Sequence, residues 1–453
     1  MSGIFKAYDI RGAYPDELDE AMARKIGAAF ARYLNAGKIV AGRDMRLSSP
    51  SLAKSFIKGA VMAGARVADI GMTTTPMLYY AIGAGHFDGG VMVTASHLPA
   101  KINGFKLCRE EAIPLSGDHG LPDIQRMIHE NPPAGAIWHA SGSIEQQSLM
   151  DPYIDHIAGF VHNPKPLRMV IDAGNGMAGP EIERLFRRFP LWRLIPMYMR
   201  PDGHFPHHVA NPLIASTTMD LQASVLKENA DIGVAFDGDA DRCGFIDEKG
   251  ERIPEDLVTA LIAQFFLARH PGATILYDLR SSRVVPETIT RLGGRAVRCR
   301  VGHSFIKAHM RRDNALFAGE LSGHYYFRDT GFTDNALFAM IQMFNLLSLK
   351  KVPLSGLIEP LRKYFKTGEI NIKVKDKEKV FGFLRSHYRA GRPDHLDGLT
   401  IEYDSWWFNL RPSNTEPVVR LNLEATDHKT MEEKKRDVLD RIGESDPEMK
   451  VMR

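Results

Sequence analysis

Short β-branched runs alternate with helix-period stretches through the first three quarters of the chain, and this alternation constrains the fold more than any other feature. The runs are KIVA (38–41), GVMV (90–93), MVI (169–171), IGVAF (232–236) and TIL (274–276). Strands that alternate with helices in this way build α/β domains with mixed, largely parallel sheets. After Arg46–Leu47, Ser48 or Ser49 can cap a helix, Pro50 suits its first turn, and Leu52, Phe56, Ile57, Ala60 and Val61 share an apolar face. Beyond about Lys366 the pattern changes. EINIKV, LTIEY, SWWFNL and VVRLNLEA read as strands and 429–442 as a helix, a smaller α+β module suited to movement. A chain of 453 residues exceeds what one hydrophobic core can serve. We expect three consecutive α/β domains at residues 1–145, 146–248 and 249–366, and a C-terminal α+β domain at 367–453.

Three segments repeat one pattern: an apolar strand, a polar glycine-containing loop, then a second strand. They are GGVMVTASHLPAKINGFKL, DIGVAFDGDADRCGFID and ALFAGELSGHYYF. Ligands of open α/β sheets bind beyond the carboxyl ends of strands, where each of these loops falls. No residue repeat links them, so the likeness is one of topology.

The first loop holds Ser96 and His97, with Lys106 on the next strand. A serine just past a strand is ordinarily a turn or cap residue. Here a histidine and an ammonium stand close by in sequence, as a serine that carries a phosphoryl dianion requires. The second loop places Asp237, Asp239 and Asp241 within five residues, followed by Arg242. Carboxylates so close repel one another and call for a cation. A calcium EF-hand is the rival, since Asp237, Asp239, Asp241 and Glu248 match its ligand spacing. It fails because Arg242 takes the glycine position and strands, not helices, flank the loop. Few protein oxygens completed by a phosphate oxygen suit magnesium. In the third loop, Glu320 and Ser322 could bond neighbouring hydroxyls and Gly323 allows close backbone approach. A fourth segment, RPSNTEP (411–417) with Arg420, gathers two guanidiniums with Ser413, Asn414 and Thr415, a set suited to an anion rather than an ordinary polar turn. Gly174-Asn175-Gly176 follows a strand but lacks GxGxxG spacing, and reads as a tight strand-to-helix turn.

Composition removes several classes of function. A formal net charge of +3 gives no basic stripe for nucleic acid. Cys108, Cys243 and Cys299 lie far apart with no CxxC pair, which excludes a zinc knuckle or disulfide framework and fits a reducing cytoplasm. MSGIFKAYDIRG lacks a signal-peptide apolar stretch, and the apolar region 257–268 carries Thr259 and Gln264, so it reads as a core helix rather than a membrane span. A cytoplasmic protein with no membrane partner is expected, monomeric or dimeric.

In order along the chain, TASH, DGDADR, GELSGH and RPSNTEP resemble the α-D-phosphohexomutase superfamily, and the likeness covers the whole chain. The resemblance implies four domains around a central cleft, each giving one loop. It implies a phosphosugar substrate, with phosphoryl transfer between the 6- and 1-hydroxyls through a hexose 1,6-bisphosphate, which also serves as activator. Ser96 would be the phosphoserine and a metal ligand, with His97 and Lys106 beside it. Asp237, Asp239 and Asp241 would hold Mg2+, and Arg242 would face the sugar phosphate. Glu320 and Ser322 would take sugar hydroxyls, with His324 nearby. Arg411, Ser413, Asn414, Thr415 and Arg420 would grip the non-reacting phosphate. Tyr8, Arg11 and His303 fall at positions lining the family's cleft, and Lys106, His324 and His303 are its candidate proton carriers.

Two departures stand out. Leu98 replaces the family's usual Asn after Ser-His, which removes an amide from that loop. Arg280, in YDLRSSR, stands where members of dual mannose and glucose specificity carry Lys. It resembles the pattern of narrower mannose-specific members and makes mannose the expected sugar, with glucose or glucosamine phosphates as alternatives. A magnesium-dependent sugar phosphatase, losing phospho-Ser96 to water, is the alternative of a different class.

Overall fold

The computed structural model describes residues 3–130, 142–413 and 418–452. Four sheets follow one another along the chain. The first contains six strands, in the order Ile10–Ala13, Ile102–Arg109, Gly89–Val93, Lys38–Arg43, Arg66–Met72 and Ser143–Gln146. The second runs Arg252–Ile253, Cys243–Asp247, Ile232–Phe236, Leu167–Asp172, Trp192–Met197. The third runs Thr333–Asp334, Tyr325–Phe327, Phe317–Gly319, Thr274–Asp278, Arg295–Cys299.

Written in this direction, the second and third sheets have one strand order, and the first repeats it around Lys38–Arg43. In each, two strands run parallel to a central one, and the chain then turns back in an antiparallel hairpin. The three loops picked out by sequence are the turns of these equivalent hairpins. Their likeness is therefore architectural: the same connection delivers a polar loop to the same edge three times.

The fourth sheet is antiparallel throughout, built on Leu399–Glu402, Trp406–Pro412, Val419–Ala425 and Ile370–Lys373, with helices Lys377–His387 and His428–Ser445. It has its own core, with Phe408, Leu410, Leu421 and Ile442. The first sheet has another, centred on Ile39, Phe56, Val91 and Phe105. The second and third sheets share one continuous core.

Helix Glu255–Leu267 lies inside that shared core, as its apolar sequence requires. So does Ala336–Leu349, a longer apolar helix buried through Ser348, which inspection of the sequence passed over. Among the described residues no single helix is long and apolar enough to cross a membrane, and Ala336–Leu349 bends by 94° into Leu354–Leu361. Helix Ser49–Met62 buries Leu52, Phe56, Ile57 and Ala60 as its period predicts. Its start differs from the expectation. Ser48 makes no capping bond, and the Ser49 hydroxyl donates instead to Asp44 at 2.5 Å. A buried carboxylate two residues before Arg46 competes successfully for that hydroxyl. Gly174 and Asn175 both take positive φ in the predicted tight turn.

Candidate functional site

The hairpin turns of the first and second sheets interlock. Ser96 is buried and sits at φ +50°, in the left-handed region that a serine seldom occupies. Its Oγ donates to Asp237 Oδ2 at 2.6 Å and lies 3.1 Å from His97 Nδ1. Close approach of the two turns requires glycine at 238, where a Cβ would stand 2.5 Å from the Ser96 carbonyl oxygen. Arg242 and burial, together with Arg11 and Lys106, push the His97 pKa well below its ordinary value.

Asp237, Asp239 and Asp241 are all buried, and an oxygen of each falls within 4.8 Å of the others. Burial first, then Asp241 and Asp239, drive the Asp237 carboxyl well above its usual range. Lys106 is the cation bonded to two of these aspartates, and Arg242 adds a second positive charge 3.9 Å from Asp237 and 4.0 Å from Asp241. The Lys106 ammonium bonds Asp239 at 2.6 Å and also Asp241, rather than Ser96. Burial disfavours this ammonium, but the two carboxylates outweigh it and raise its pKa. Thr75, opening helix Thr75–Ala84, donates its hydroxyl to Asp239 at 2.6 Å and its N–H to the Asp239 carbonyl at 3.0 Å. The positive end of that helix thus faces the acidic loop. Asp239 Oδ1 and Asp241 Oδ1 are buried without hydrogen-bond partners. Converging orphaned carboxylate oxygens are the donor set a divalent cation takes, so the residues fit a metal.

The third turn joins on directly. Cys243 N–H donates to the Gly323 carbonyl at 3.1 Å, and His324 Nε2 lies 3.4 Å from Asp241 and 3.1 Å from Arg242 Nε. Burial and Arg242 pull the His324 imidazolium down, yet Asp241 and Glu320 prevail and raise its pKa to about 9. In that charged form His324 forms an ion pair with Asp241 rather than a hydrogen bond, and Arg242 is its like-charged neighbour. Ser322 Oγ is 2.8 Å from His324 Nδ1. Glu320 accepts from Tyr326 Oη at 2.6 Å and from Gly302 N–H at 3.1 Å, and lies 3.8 Å from Arg280. Gly302, at φ +124°, leaves no room for a Cβ against the Tyr8 hydroxyl, and Tyr8 packs on His303 with centroids 5.3 Å apart. Burial and Lys307 hold the His303 pKa well below normal. Arg11 pairs with Asp9 at 2.7 Å, while its Nη1 is buried without a hydrogen-bond partner.

From Arg280 the chain of contacts passes to the fourth domain. Arg280 binds Asp278 at 2.7 Å and reaches Glu369 at 3.4 Å. Glu369 also takes Arg411 at 2.9 Å and Arg420 at 3.2 Å. Arg411 and Arg420 face each other across paired strands, so like charges would repel without that carboxylate. Burial alone would raise the Glu369 pKa, but Arg280, Arg411 and Arg420 lower it to about 2. Ser413 N–H donates to the Val418 carbonyl at 2.9 Å, closing the base of the loop. Asn414 and Thr415 lie outside the described residues.

An unbroken series of polar contacts therefore runs from Ser96 through Asp237, Arg242, His324, Glu320, Arg280 and Glu369 to Arg411 and Arg420. Residues named from sequence make up all of it except Glu369. Sequence reasoning also missed Thr75 and Arg46. Glu369, in TGEIN, carries no local signal, because its partners Arg280 and Arg411 lie 89 and 42 residues away. Arg46, in GRDMRLSS, follows Arg43 and Asp44 with nothing local to distinguish it.

Four family models match in sequence: Phosphoglucomutase/phosphomannomutase alpha/beta/alpha domains I, II and III at residues 2–133, 151–250 and 254–364, and the C-terminal domain at 369–441. A phosphomannomutase of Escherichia coli is 42% identical over 93% of this chain and 94% of its own length. A relative from Xanthomonas campestris described as phosphohexose mutases is 39% identical, over 93% of this chain and 94% of its own. The crystal structure of a phosphoglucomutase/phosphomannomutase family protein from Burkholderia thailandensis superposes with a TM-score of 0.92 at 33% identity, covering 99% of both chains. With this fold, these relatives and a continuous polar site across its four sheets, the chain belongs to the phosphoglucomutase/phosphomannomutase family and is a phosphohexomutase.

Proposed function

We propose that the enzyme interconverts mannose 6-phosphate and mannose 1-phosphate through phospho-Ser96 and a hexose 1,6-bisphosphate, supplying mannose 1-phosphate for GDP-mannose in the cytoplasm. The observation that carries this reading is the polar series joining the Ser96 hydroxyl to the Arg411 and Arg420 guanidiniums. It supplies a nucleophile at one end and an anion cradle at the other, with hydroxyl-binding groups between. The choice of mannose rests on relatives named phosphomannomutase at 39–42% identity and on Arg280.

Asp237, Asp239 and Asp241, with Ser96, would hold Mg2+, the cation favoured by a site with few protein oxygens. When bound, the ion supplies charge neutralisation to a phosphoryl group at Ser96. The residues of the chain do the remainder. Asp237 orients the Ser96 Oγ, and Lys106 and Arg11 add positive charge near the transferring group. A sugar hydroxyl that attacks phospho-Ser96 must lose its proton. His303, held neutral beside Tyr8, can accept it; Lys106 and His324, the other candidate proton carriers, are held protonated by neighbouring carboxylates and suit the donor's part. Glu320 and Ser322 receive the sugar hydroxyls, while Arg411, Ser413, Asn414, Thr415 and Arg420 hold the distal phosphate. Arg242 and Tyr8 border the sugar between them. The bisphosphate turns end for end, so both phosphates in turn occupy both sites.

The test is turnover of mannose 1-phosphate, glucose 1-phosphate and glucosamine 1-phosphate with their 1,6-bisphosphates as activators. Mannose 1-phosphate is expected to give the highest kcat/KM. A glucose or glucosamine preference overturns the sugar assignment, and steady phosphate release without isomerisation overturns the mutase reaction in favour of hydrolysis.

A further inference from the structure

We propose that Arg46 is the positioning residue of the phosphoryl-transfer loop: its guanidinium holds the main chain around Ser96 in the shape that aims Oγ at Asp237. The proposal rests on the reading of Ser96 as nucleophile and adds a residue that touches neither substrate nor metal.

Arg46 is fully buried, in a turn after the strand Lys38–Arg43. A guanidinium has five N–H donors, and here each has an acceptor. Nε donates to Asp44 Oδ2 at 3.2 Å. Nη1 donates to the carbonyls of Pro99 and Ile102, both at 2.8 Å. Nη2 donates to the carbonyls of Ser96 at 2.7 Å and Leu98 at 2.6 Å. Three carbonyls of the loop between two strands of one hairpin, and that of Ile102 at the start of the second strand, thus converge on one side chain. Asp44 is fixed in turn by Arg46 N–H at 3.0 Å and by the Ser49 hydroxyl. The face of the guanidinium lies 5.3 Å from the Phe205 ring, contributed by the second domain.

This arrangement explains two features at once. A non-glycine residue at positive φ costs on the order of 1–3 kcal/mol and persists only when its surroundings over-determine it. Ser96 pays no such cost unaided: its N–H is bound by Thr94 Oγ1 at 2.9 Å, and its carbonyl, against which Gly238 packs, is held by Arg46. The second feature is Leu98, which lacks the amide expected after Ser-His. Position 98 contributes its carbonyl to Arg46, an interaction any side chain permits. Lysine at 46 could not replace the fork, since an ammonium has three donors and no plane.

The test compares Arg46→Lys, Asp44→Asn and Ser96→Ala with wild type in the intact enzyme. Arg46→Lys is expected to lower kcat by about 10²-fold with KM within about threefold, because the cradle for the phosphosugar is untouched. Transfer from hexose 1,6-bisphosphate to Ser96, followed by intact-protein mass, should slow by the same factor. Asp44→Asn keeps the four carbonyl bonds and loosens only the Nε anchor, so a smaller kcat loss at unchanged KM is expected. Should Arg46→Lys fail to fold, Asp44→Asn carries the test. Wild-type kcat in whichever of the two folds, or a loss expressed in KM, overturns the proposal. Ser96→Ala separates the two readings: an inactive Ser96→Ala enzyme beside a fully active Arg46→Lys enzyme sinks the role of Arg46 alone, whereas an active Ser96→Ala enzyme sinks the nucleophile on which it rests.

Discussion

The two ends of the polar series are built as opposites. At the Ser96 end three carboxylates surround one ammonium, Lys106, which bonds Asp239 and Asp241. At the far end three guanidiniums, from Arg280, Arg411 and Arg420, surround one carboxylate, Glu369. Each end thus contains a counter-ion of its own, of the charge sign its proposed ligand would bring. Clustered like charges in a folded interior need such a partner, because self-repulsion and desolvation add. The ends differ in depth. Asp237, Asp239 and Asp241 are 0%, 0% and 2% exposed, whereas the side chains of Glu369 and Arg420 are 26% and 22% exposed. Water screens the second cluster more, so the same kind of mutation should cost less there.

Loss of Ser96 should have the largest effect. Ser96→Ala is expected to reduce kcat more than 10³-fold while melting temperature changes little, since covalent transfer has no alternative hydroxyl at that turn. Activity within tenfold of wild type in a preparation free of wild-type enzyme would remove the acidic end from the chemistry altogether. Next comes Lys106→Met. With the ammonium that bonds Asp239 and Asp241 gone, the triad is expected to destabilise the chelator-treated protein by about 3 kcal/mol, and added Mg2+ should restore most of the loss. The wild type, already compensated by Lys106, should show a smaller melting shift on chelation. Equal shifts in the two proteins would break the parallel between Lys106 and a bound cation.

How far the acidic end could be read from sequence, and the basic end could not, follows from the same contrast. Asp237, Asp239 and Asp241 crowd into one turn, so their repulsion is visible in the string of letters. Ser96 stands out through His97 beside it and Lys106 one strand on. The run KIVA falls in the central strand of the first sheet and IGVAF in the strand that leads into the acidic turn, and strand–helix alternation marks the fold class. Glu369 is different: it gathers Arg280 from 89 residues earlier and Arg411 from 42 residues later, and no local pattern marks it. Arg46 escaped for a related reason, as its partners are backbone carbonyls, which every residue has. Lys106 was legible as a cation near Ser96, but its preference for the aspartates depends on how two hairpins interlock. The buried helix Ala336–Leu349 was missed because an all-round apolar helix has no face to betray its period.

Glu369→Gln tests the other end. Removing the carboxylate leaves Arg411 and Arg420 opposed across the strand pair, with Arg280 still tied to Asp278. A destabilisation of about 2 kcal/mol is expected in a buffer of chloride, less than at the triad because the cluster is partly wet. Inorganic phosphate should recover it, and should raise the melting temperature of Glu369→Gln more than that of wild type. This mirrors rescue of Lys106→Met by Mg2+. A variant indifferent to phosphate would show that Glu369 does not stand in for an anion.

The smallest effect expected is an acid dependence confined to the same carboxylate. Glu369 titrates at about 2 in the folded chain against 4.5 as an ordinary glutamate. A folded-state pKa below the unfolded one means that its stabilisation is complete above pH 4.5 and is lost as pH falls towards 2. The full shift corresponds to roughly 3 kcal/mol, partly offset because burial and Arg280 pull the Arg411 pKa down. The gap in unfolding free energy between wild type and Glu369→Gln should therefore stay nearly constant from pH 7 to 5, then narrow by about 2 kcal/mol by pH 3, close to its whole size. Taking the difference cancels every carboxylate that titrates alike in both proteins, the triad included. A gap that widens on acidification, or one unchanged at pH 3, would mean that the arginines are held together by something other than the charge of Glu369.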